Sequence, residues 1–189
     1  MSQMDKLSKV VHLRRNFDLG GFRLINFVRL GAASERVRQW RNHEGVRKWM
    51  YSDHVISKIE HLRFIEGLKE DRKNYFWMVA DLAGEVGVIS LNKVDFKNKN
   101  AYLGIYTNPD GRRGDAGKIL IHLLKQLCFE IANLHSLRLE VIDENERAVR
   151  FYRKVGFRKE GRLKEFVLKE GRWRDVIVMA MIHPKGSKR

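Results

Sequence analysis

Residues 144–161 read ENERAVRFYRKVGFRKEG, a short helix opened by an asparagine and ended by a glycine. Asn145 suits the first position, because its side chain can accept a bond from an unpaired N–H of the first turn. Gly156 suits the end. Tyr152 follows Asn145 by seven residues. That spacing is two helical turns, so both side chains lie on the same side, one above the other. Two readings are open for the pair: capping and core packing, or contact with something that is not protein.

The elements around this helix are legible from their periodicities. Upstream, "SLRLEVI" (136–142) reads as a strand, and before it "KILIHLLKQLCFEIA" (118–132) as a strongly amphipathic helix. Leu120, Leu123, Leu124, Leu127 and Ile131 form one stripe of that helix. "YFWMVAD", "EVGVISLNKVDF" and "AYLGIYTN" read as a β-meander with turns at "LAG" and "KNKN". "FRLINFVRL" (22–30) predicts a first strand, then "SERVRQWRNHEGVRKWM" and "SKIEHLRFIEGLKEDRK" predict helices. In the second of these, Ile59, Leu62, Ile65 and Leu68 have helical spacing, and Ser57 with Glu60 suggests a capping box. Downstream, "KEFVLKEGRWRDVIVMAMI" predicts a hairpin turning at Glu170-Gly171. The order is β-α-α-β-β-β-α-β-α-β-β, a mixed α/β (α+β) class with one β-α-β crossover in its second half.

At 189 residues and 43% hydrophobic, the chain supports one cored domain and not two comfortable ones. The expected boundaries are a basic N-terminal extension over 1–20, a single domain over 21–184 and a basic tail over 185–189. No run is apolar enough for a membrane span, and no secretory signal pattern opens the chain. Cys128 is the sole cysteine, which excludes an internal disulfide and fits a cytoplasmic location. It falls on the amphipathic stripe and reads as a core residue. A net charge of +15 attracts polyanions, whether nucleic acid, anionic lipid or phosphorylated small molecules. His43 and His61 have no metal-ligand spacing, so no metal is expected.

The chemistry is expected at the crossover. Strand 101–108 stops at Pro109, which cannot donate to a ladder. "DGRRGDAGK" (110–118) then runs into the helix. Arg112, Arg113, Gly114, Asp115, Ala116, Gly117 and Lys118 combine turned backbone N–H groups, charge and a helix N-terminus, an arrangement suited to a pyrophosphate. A plain polar turn with Asp115 as N-cap reads nearly as well. An interrupted strand also leaves backbone groups that an extended, amide-bearing ligand can complete.

On these residues the chain resembles the GNAT N-acetyltransferases. Their Asn-x-x-Ala-x-x-x-Tyr-x-x-x-Gly-Phe pattern is matched at Asn145, Ala148, Tyr152, Gly156 and Phe157. Their pyrophosphate loop is matched over 112–117 with Asp115 where a glycine is usual. The resemblance implies the GNAT fold, with a central, mostly antiparallel sheet flanked by helices, and acetyl-CoA as co-substrate. Asn145 would meet the pantetheine arm, and a backbone N–H near Ile105, Tyr106 or Thr107 would hold the developing oxyanion. Tyr152 would protonate the leaving thiolate. Asp115 would contribute its N–H while its carboxylate turns away, capping the helix.

Segments including "RNHEGVRKWMYS", "HLRFIEGLK", "LHSLRLEVIDEN" and "EGRLKEF" extend the resemblance to the sugar-nucleotide N-acetyltransferases of pseudaminic acid biosynthesis. That implies acetylation of the 4-amino group of a UDP-linked 4-amino-4,6-dideoxy-N-acetyl-altrosamine by direct transfer. Ser90 would relay the amine's proton. Arg41, His61, Lys93, Asn92 and Tyr102 would meet the UDP end, and Trp49, Met50 and Tyr51 the 6-deoxy sugar. A homodimer is compatible with this reading. Two rivals stand: a GNAT acetylating protein N-termini, and a non-catalytic RNA-binding module, which the complete 145–157 motif disfavours.

Overall fold

The computed structural model describes residues 12–183, so the 185–189 tail and the first 11 residues of the expected extension lie outside the described residues. One eight-stranded sheet runs in the order β1-β2-β3-β4-β5-β6-β8-β7. Its strands are β1 (Phe17–Leu19), β2 (Phe22–Asn26), β3 (Tyr75–Asp81), β4 (Gly84–Asp95), β5 (Asn100–Thr107), β6 (Ser136–Ile142), β7 (Arg158–Lys169) and β8 (Arg172–Ile182). Every pairing is antiparallel except β5–β6, which the crossover makes parallel. The meander, the crossover and the hairpin turn at Glu170-Gly171 stand where the sequence predicts them.

Two apolar layers cover the two faces. On one face, α4 (Ala116–Lys125) continues as a π-helical turn over Gln126–Ile131 and packs with α5 (Glu146–Lys154). Leu120, Leu123, Leu124 and Leu127 are fully buried there against Ile89, Leu91, Leu137 and Leu139. Burying each such side chain contributes about 1.5–3 kcal/mol. On the other face, α1 (Ala33–Asn42), α2 (Glu44–Arg47) and α3 (Lys58–Gly67) surround a smaller cluster of Phe27, Val37, Trp40, Leu68, Met78 and Val88.

Four local readings change. The fold starts before residue 21: Leu13 and Phe17 are buried, β1 pairs with β2, and the Trp77 indole donates to the Arg15 carbonyl at 2.9 Å. The expected extension therefore supplies an edge strand and part of the core. Strand "FRLINFVRL" ends at Asn26, whose side chain accepts the Val28 N–H at 3.2 Å and starts a 3-10 turn. The first predicted helix breaks at His43, whose extended backbone (ψ 134°) ends α1 and whose ring caps Gly45 at 3.1 Å. In α3, Ser57 caps Glu60 as expected, but Ile59 and Leu62 are 64% and 49% exposed. Ile65 and Leu68 face inward as expected, but His61 joins them in place of Ile59 and Leu62, because steps of four and three keep to one side of a 3.6-residue helix while repeated steps of three drift off it.

Candidate active site at the splayed strands

β5 and β6 pair only over Asn100–Tyr102 and Ser136–Arg138, although both strands run on, to Thr107 and Ile142. Beyond Tyr102 their facing edges separate while β5 stays paired to β4 and β6 to β8. The opening therefore begins six residues before Asn108, not at Pro109. The Asn108 N–H donates to the Val86 carbonyl at 2.9 Å, so β5 residues of even number point their N–H groups to β4. By the period-two alternation of an antiparallel ladder, Ile105 and Thr107 turn theirs toward the gap. Tyr106 does not: its backbone faces β4, and its ring packs among the α1–α3 cluster beside Arg41.

Below the gap, loop 110–115 enters α4. The N–H groups of Arg112, Arg113, Gly114, Asp115 and Gly117 find no acceptor among the described residues, as an anion cradle at a helix start requires. Lys118 is exposed on the first turn, and Ala116 is buried beneath it. Asp115 does stand at the N-cap position, but its carboxylate caps nothing. It accepts the Arg113 Nε at 3.2 Å, and the same guanidinium meets Asp81 at 2.5 Å. Arg113 thus neutralises two carboxylates, and Arg112 is the guanidinium of the loop without an ion-pair partner among the described residues.

Asn145 and Tyr152 resolve the question posed by their spacing in different ways. Asn145 is an N-cap, its Oδ1 accepting the Ala148 N–H at 3.2 Å, while its Nδ2 donates to no described residue. Tyr152 is buried, with its ring edge-on to Phe151 (5.4 Å) and Phe157 (5.7 Å). Its hydroxyl has no hydrogen-bond partner among the described residues, and burial pushes its phenol well above the ordinary value. It is a protonated donor at neutral pH with an unused hydrogen. The motif residues and the loop together fit the phosphates, amides and sulfur of acetyl-CoA.

On the α1–α3 side of the gap, the structure gathers most of the expected acceptor residues. The Tyr51 hydroxyl donates to Glu140 at 2.8 Å. Lys93, in a bulge with φ +51°, lies 3.6 Å from Glu140 and 4.7 Å from the Tyr102 ring. The Asn92 amide donates to Ser90 Oγ at 2.9 Å, and Ser90 is buried against Gly104. A Cβ at Gly104 would lie 2.5 Å from that Oγ, so the pair fits only because residue 104 is glycine. Arg41 donates to Ser52 at 2.7 Å, its Nη1 is buried without a partner, and no carboxylate pairs with it among the described residues. Trp49 and Met50 are half-buried beside Tyr51. His61 is not part of this group: it is buried against Ser34, Glu35 and Arg38, with burial holding its imidazole below the ordinary value.

Glu140 was missed by sequence reasoning. Its only signal is its place on β6, where Leu137, Leu139 and Val141 are buried in the α4 layer and the alternate residues face the other way. That alternation is readable, but the opening that makes position 140 a site is not. Among the described residues, no cluster of three or more His, Cys, Asp or Glu side chains forms a metal site, and no helix is long and apolar enough to cross a membrane.

Residues 34–178 match the family profile of the acetyltransferase (GNAT) domain. The chain is 29% identical over 136 residues to acetyltransferase PseH of Campylobacter jejuni, covering 71% of this chain and 83% of that protein. It is 28% identical over 136 residues to spermidine N(1)-acetyltransferase of Vibrio cholerae, covering 72% and 71%. Among solved structures, spermidine N-acetyltransferase from Vibrio cholerae in complex with CoA and spermine superposes with a TM-score of 0.80 at 23% identity, covering 89% of this chain and 99% of that one. A GCN5-related N-acetyltransferase from Brucella melitensis superposes with a TM-score of 0.73 at 22% identity, covering 89% and 79%. At these identities the superpositions show a shared fold.

Proposed function

The chain belongs to the GNAT acetyltransferase family, and from that premise we propose that its acceptor is an anionic sugar nucleotide, a UDP-linked 4-amino-4,6-dideoxy-N-acetyl-altrosamine. The observation that carries the proposal is the charge of the acceptor side. Arg41 is a half-buried guanidinium with a buried, unpartnered Nη1 and no carboxylate partner among the described residues, and Lys93 stands at the rim, against one carboxylate, Glu140. An uncompensated buried cation is costly unless an anion arrives, and a diphosphate would supply one. Tyr51, Tyr102 and Met50 offer an apolar wall to a deoxy sugar. The similarity to acetyltransferase PseH agrees with this reading.

The similarity to spermidine N(1)-acetyltransferase favours a second reading, a polyamine acceptor. A polyamine is a polycation at neutral pH, since its amines titrate at about 10.4. A chain of net charge +15 repels it, and a single carboxylate beside Arg41 and Lys93 offers it little.

Acetyl-CoA supplies the acetyl group as a thioester that a neutral amine can attack directly. In the proposed mechanism Glu140 takes the amine's proton, with Tyr51 holding the carboxylate in place. The N–H groups of Ile105 or Thr107 stabilise the charge that develops on the thioester oxygen, and Tyr152 protonates the leaving sulfur. The Arg112–Gly117 backbone holds the pyrophosphate, and Asn145 Nδ2 meets a pantetheine amide. Ser90, bonded between Asn92 and Gly104, fills the wall in place of the relay the resemblance suggests. Turnover of UDP-4-amino sugars, spermidine and N-terminal peptides, each with acetyl-CoA, tests the assignment. The expected result is a kcat/KM for the UDP-sugar at least about 100-fold above the others, and an Arg41→Met variant that raises the UDP-sugar KM about tenfold and leaves the acetyl-CoA KM within about twofold. Preferential turnover of spermidine would overturn it.

A further inference from the structure

Lys169 is the one lysine or arginine among the described residues with its whole residue buried, at 5% exposure. An ammonium taken out of water is costly unless it is paired or hydrogen-bonded. No described carboxylate lies within ion-pair distance of it. Its Nζ donates to the carbonyls of Met50 at 2.9 Å and Arg47 at 3.3 Å, at the end of α2 and in the turn that follows it. The next residue adds a second tie: the Glu170 N–H donates to Asp53 Oδ2 at 3.2 Å. The Phe166 ring meets Tyr51 edge-on at 6.3 Å. The tip of the β7–β8 hairpin therefore holds the strap 47–53 at three points.

The same strap reaches the acceptor group from its other side. Tyr51 donates to Glu140 and Ser52 accepts from Arg41, so two of the three charged groups of the proposed acceptor site, Glu140 and Arg41, are anchored to it. The strap has no regular structure from Lys48 to Ser57. Apart from the hairpin, its backbone is held at the α2 end by the Trp49 and Met50 N–H groups on the Val46 and Arg47 carbonyls, at Asp53 by the Arg47 guanidinium, and at Ile56 by Asn42. The Arg47 and Met50 carbonyls are fastened to the far side of the sheet by Lys169. The local conformation of the hairpin provides the reach. A bulge between Leu163 and Val167, with Glu165 at φ +49° and its N–H held by Asp175 at 2.8 Å, adds two residues to β7 without changing which residues face inward, so that Val167 and Lys169 are buried and Phe166 and Leu168 are exposed.

We propose that Lys169 is a positioning residue for the acceptor site: by fastening the carbonyls of Arg47 and Met50 to the β7–β8 hairpin it sets the places of Tyr51 and Ser52, and through them Glu140 and Arg41. This rests on the acceptor-site reading above, and it adds that acceptor selectivity depends on a residue of an edge strand that reaches Glu140 and Arg41 only through the strap. Its reach is one-sided. The acetyl-CoA side, loop 111–117 and Tyr152, hangs on β5, α4 and α5, none of which the hairpin tip touches through these contacts.

The test uses the full chain with Lys169→Met, which keeps most of the apolar stem and removes the three donors, and with Lys169→Arg, which keeps a cation. Amide hydrogen exchange followed by mass spectrometry reads the strap without any acceptor. Peptides covering 47–53 should exchange at least about fivefold faster in Lys169→Met, with peptides of α4 unchanged. In turnover, the acceptor KM should rise about tenfold, equivalent to 1.4 kcal/mol, while the acetyl-CoA KM stays within about twofold. Lys169→Arg should recover part of both effects. Adding Tyr51→Phe to Lys169→Met should give less than the product of the two single effects, because one acts through the other. Unchanged exchange in 47–53, or acceleration throughout the chain with both KM values rising together, overturns the proposal. If no UDP-amino sugar is turned over, the assignment of the acceptor fails, and the exchange rates still decide whether Lys169 holds the strap.

Discussion

Replacing Tyr152 by Phe isolates one oxygen atom. The ring keeps its edge contacts with Phe151 and Phe157 at 5.4 and 5.7 Å, worth about 0.5–1.5 kcal/mol each. No protein hydrogen bond is broken, so folding stability should move by no more than about 0.5 kcal/mol. Proton donation is the only function removed. General acids contribute about 10²- to 10⁴-fold to rate. A thiol titrates at about 8.5 and is a fair leaving group unaided, which puts the expected loss in kcat near the lower end, about 100-fold. Thiol release from acetyl-CoA, measured at saturating acceptor, reads kcat; calorimetric titration reads acetyl-CoA affinity, which should change by less than about twofold. Because burial raises the Tyr152 phenol above its ordinary value of 10.0, the wild-type rate should also show no loss of the acid at pH 9. A Phe variant with unchanged kcat, or one that loses acetyl-CoA affinity and stability together, would refute the assignment and leave Tyr152 as a core residue.

Glu140→Gln should lower kcat about 100-fold at pH 7 and recover much of it toward pH 10, where the amine loses its proton to solvent; a parallel loss at every pH would exclude Glu140 as the base. Asp115→Gly removes a carboxylate from the loop and releases Arg113 from one of its two partners, so acetyl-CoA should bind about three- to tenfold more tightly, a change calorimetry resolves; weaker binding would mean that Asp115 orders the loop. Cys128 is fully buried, and burial pushes its thiol from 9.0 up to about 12. The folded chain then keeps a proton that the unfolded chain releases above about pH 9, so its contribution to stability is complete below pH 9 and is lost as pH rises from there toward 12. Urea midpoints at pH 8 and 10.5 should differ less for Cys128→Ala than for the wild type, and the native thiol should not react with an aromatic disulfide reagent.

The crossover helix, the Asn145–Phe157 motif and the loop were legible because each is local. A stripe at Leu120, Leu123, Leu124 and Leu127, an N-cap at Asn145 and a turn at Glu170-Gly171 depend on neighbours within a few residues, and near-neighbour sterics and hydrogen bonding decide them. α3 shows the limit of that logic. Ile59 and Leu62 are apolar yet face outward, while the polar His61 turns inward with Ile65 and Leu68, a face fixed by packing against β3 and α1. Arg113 shows it again: a loop arginine expected to meet phosphate is held by Asp81, thirty-two residues away.

The sequence by itself determined the GNAT class, the loop that runs into α4 and the paired placement of Asn145 and Tyr152, because those features are carried by short motifs whose geometry is set along the chain. The tertiary structure alone decided which residues gather on the other side of the opening. Glu140 meets Tyr51 across 89 residues, and Lys169 reaches Met50 across 119. Such contacts follow from the parting of β5 and β6 and from the bend of an edge hairpin. No periodicity records those events, since the closure of a long loop leaves no mark on the residues at its ends until the sheet brings them together.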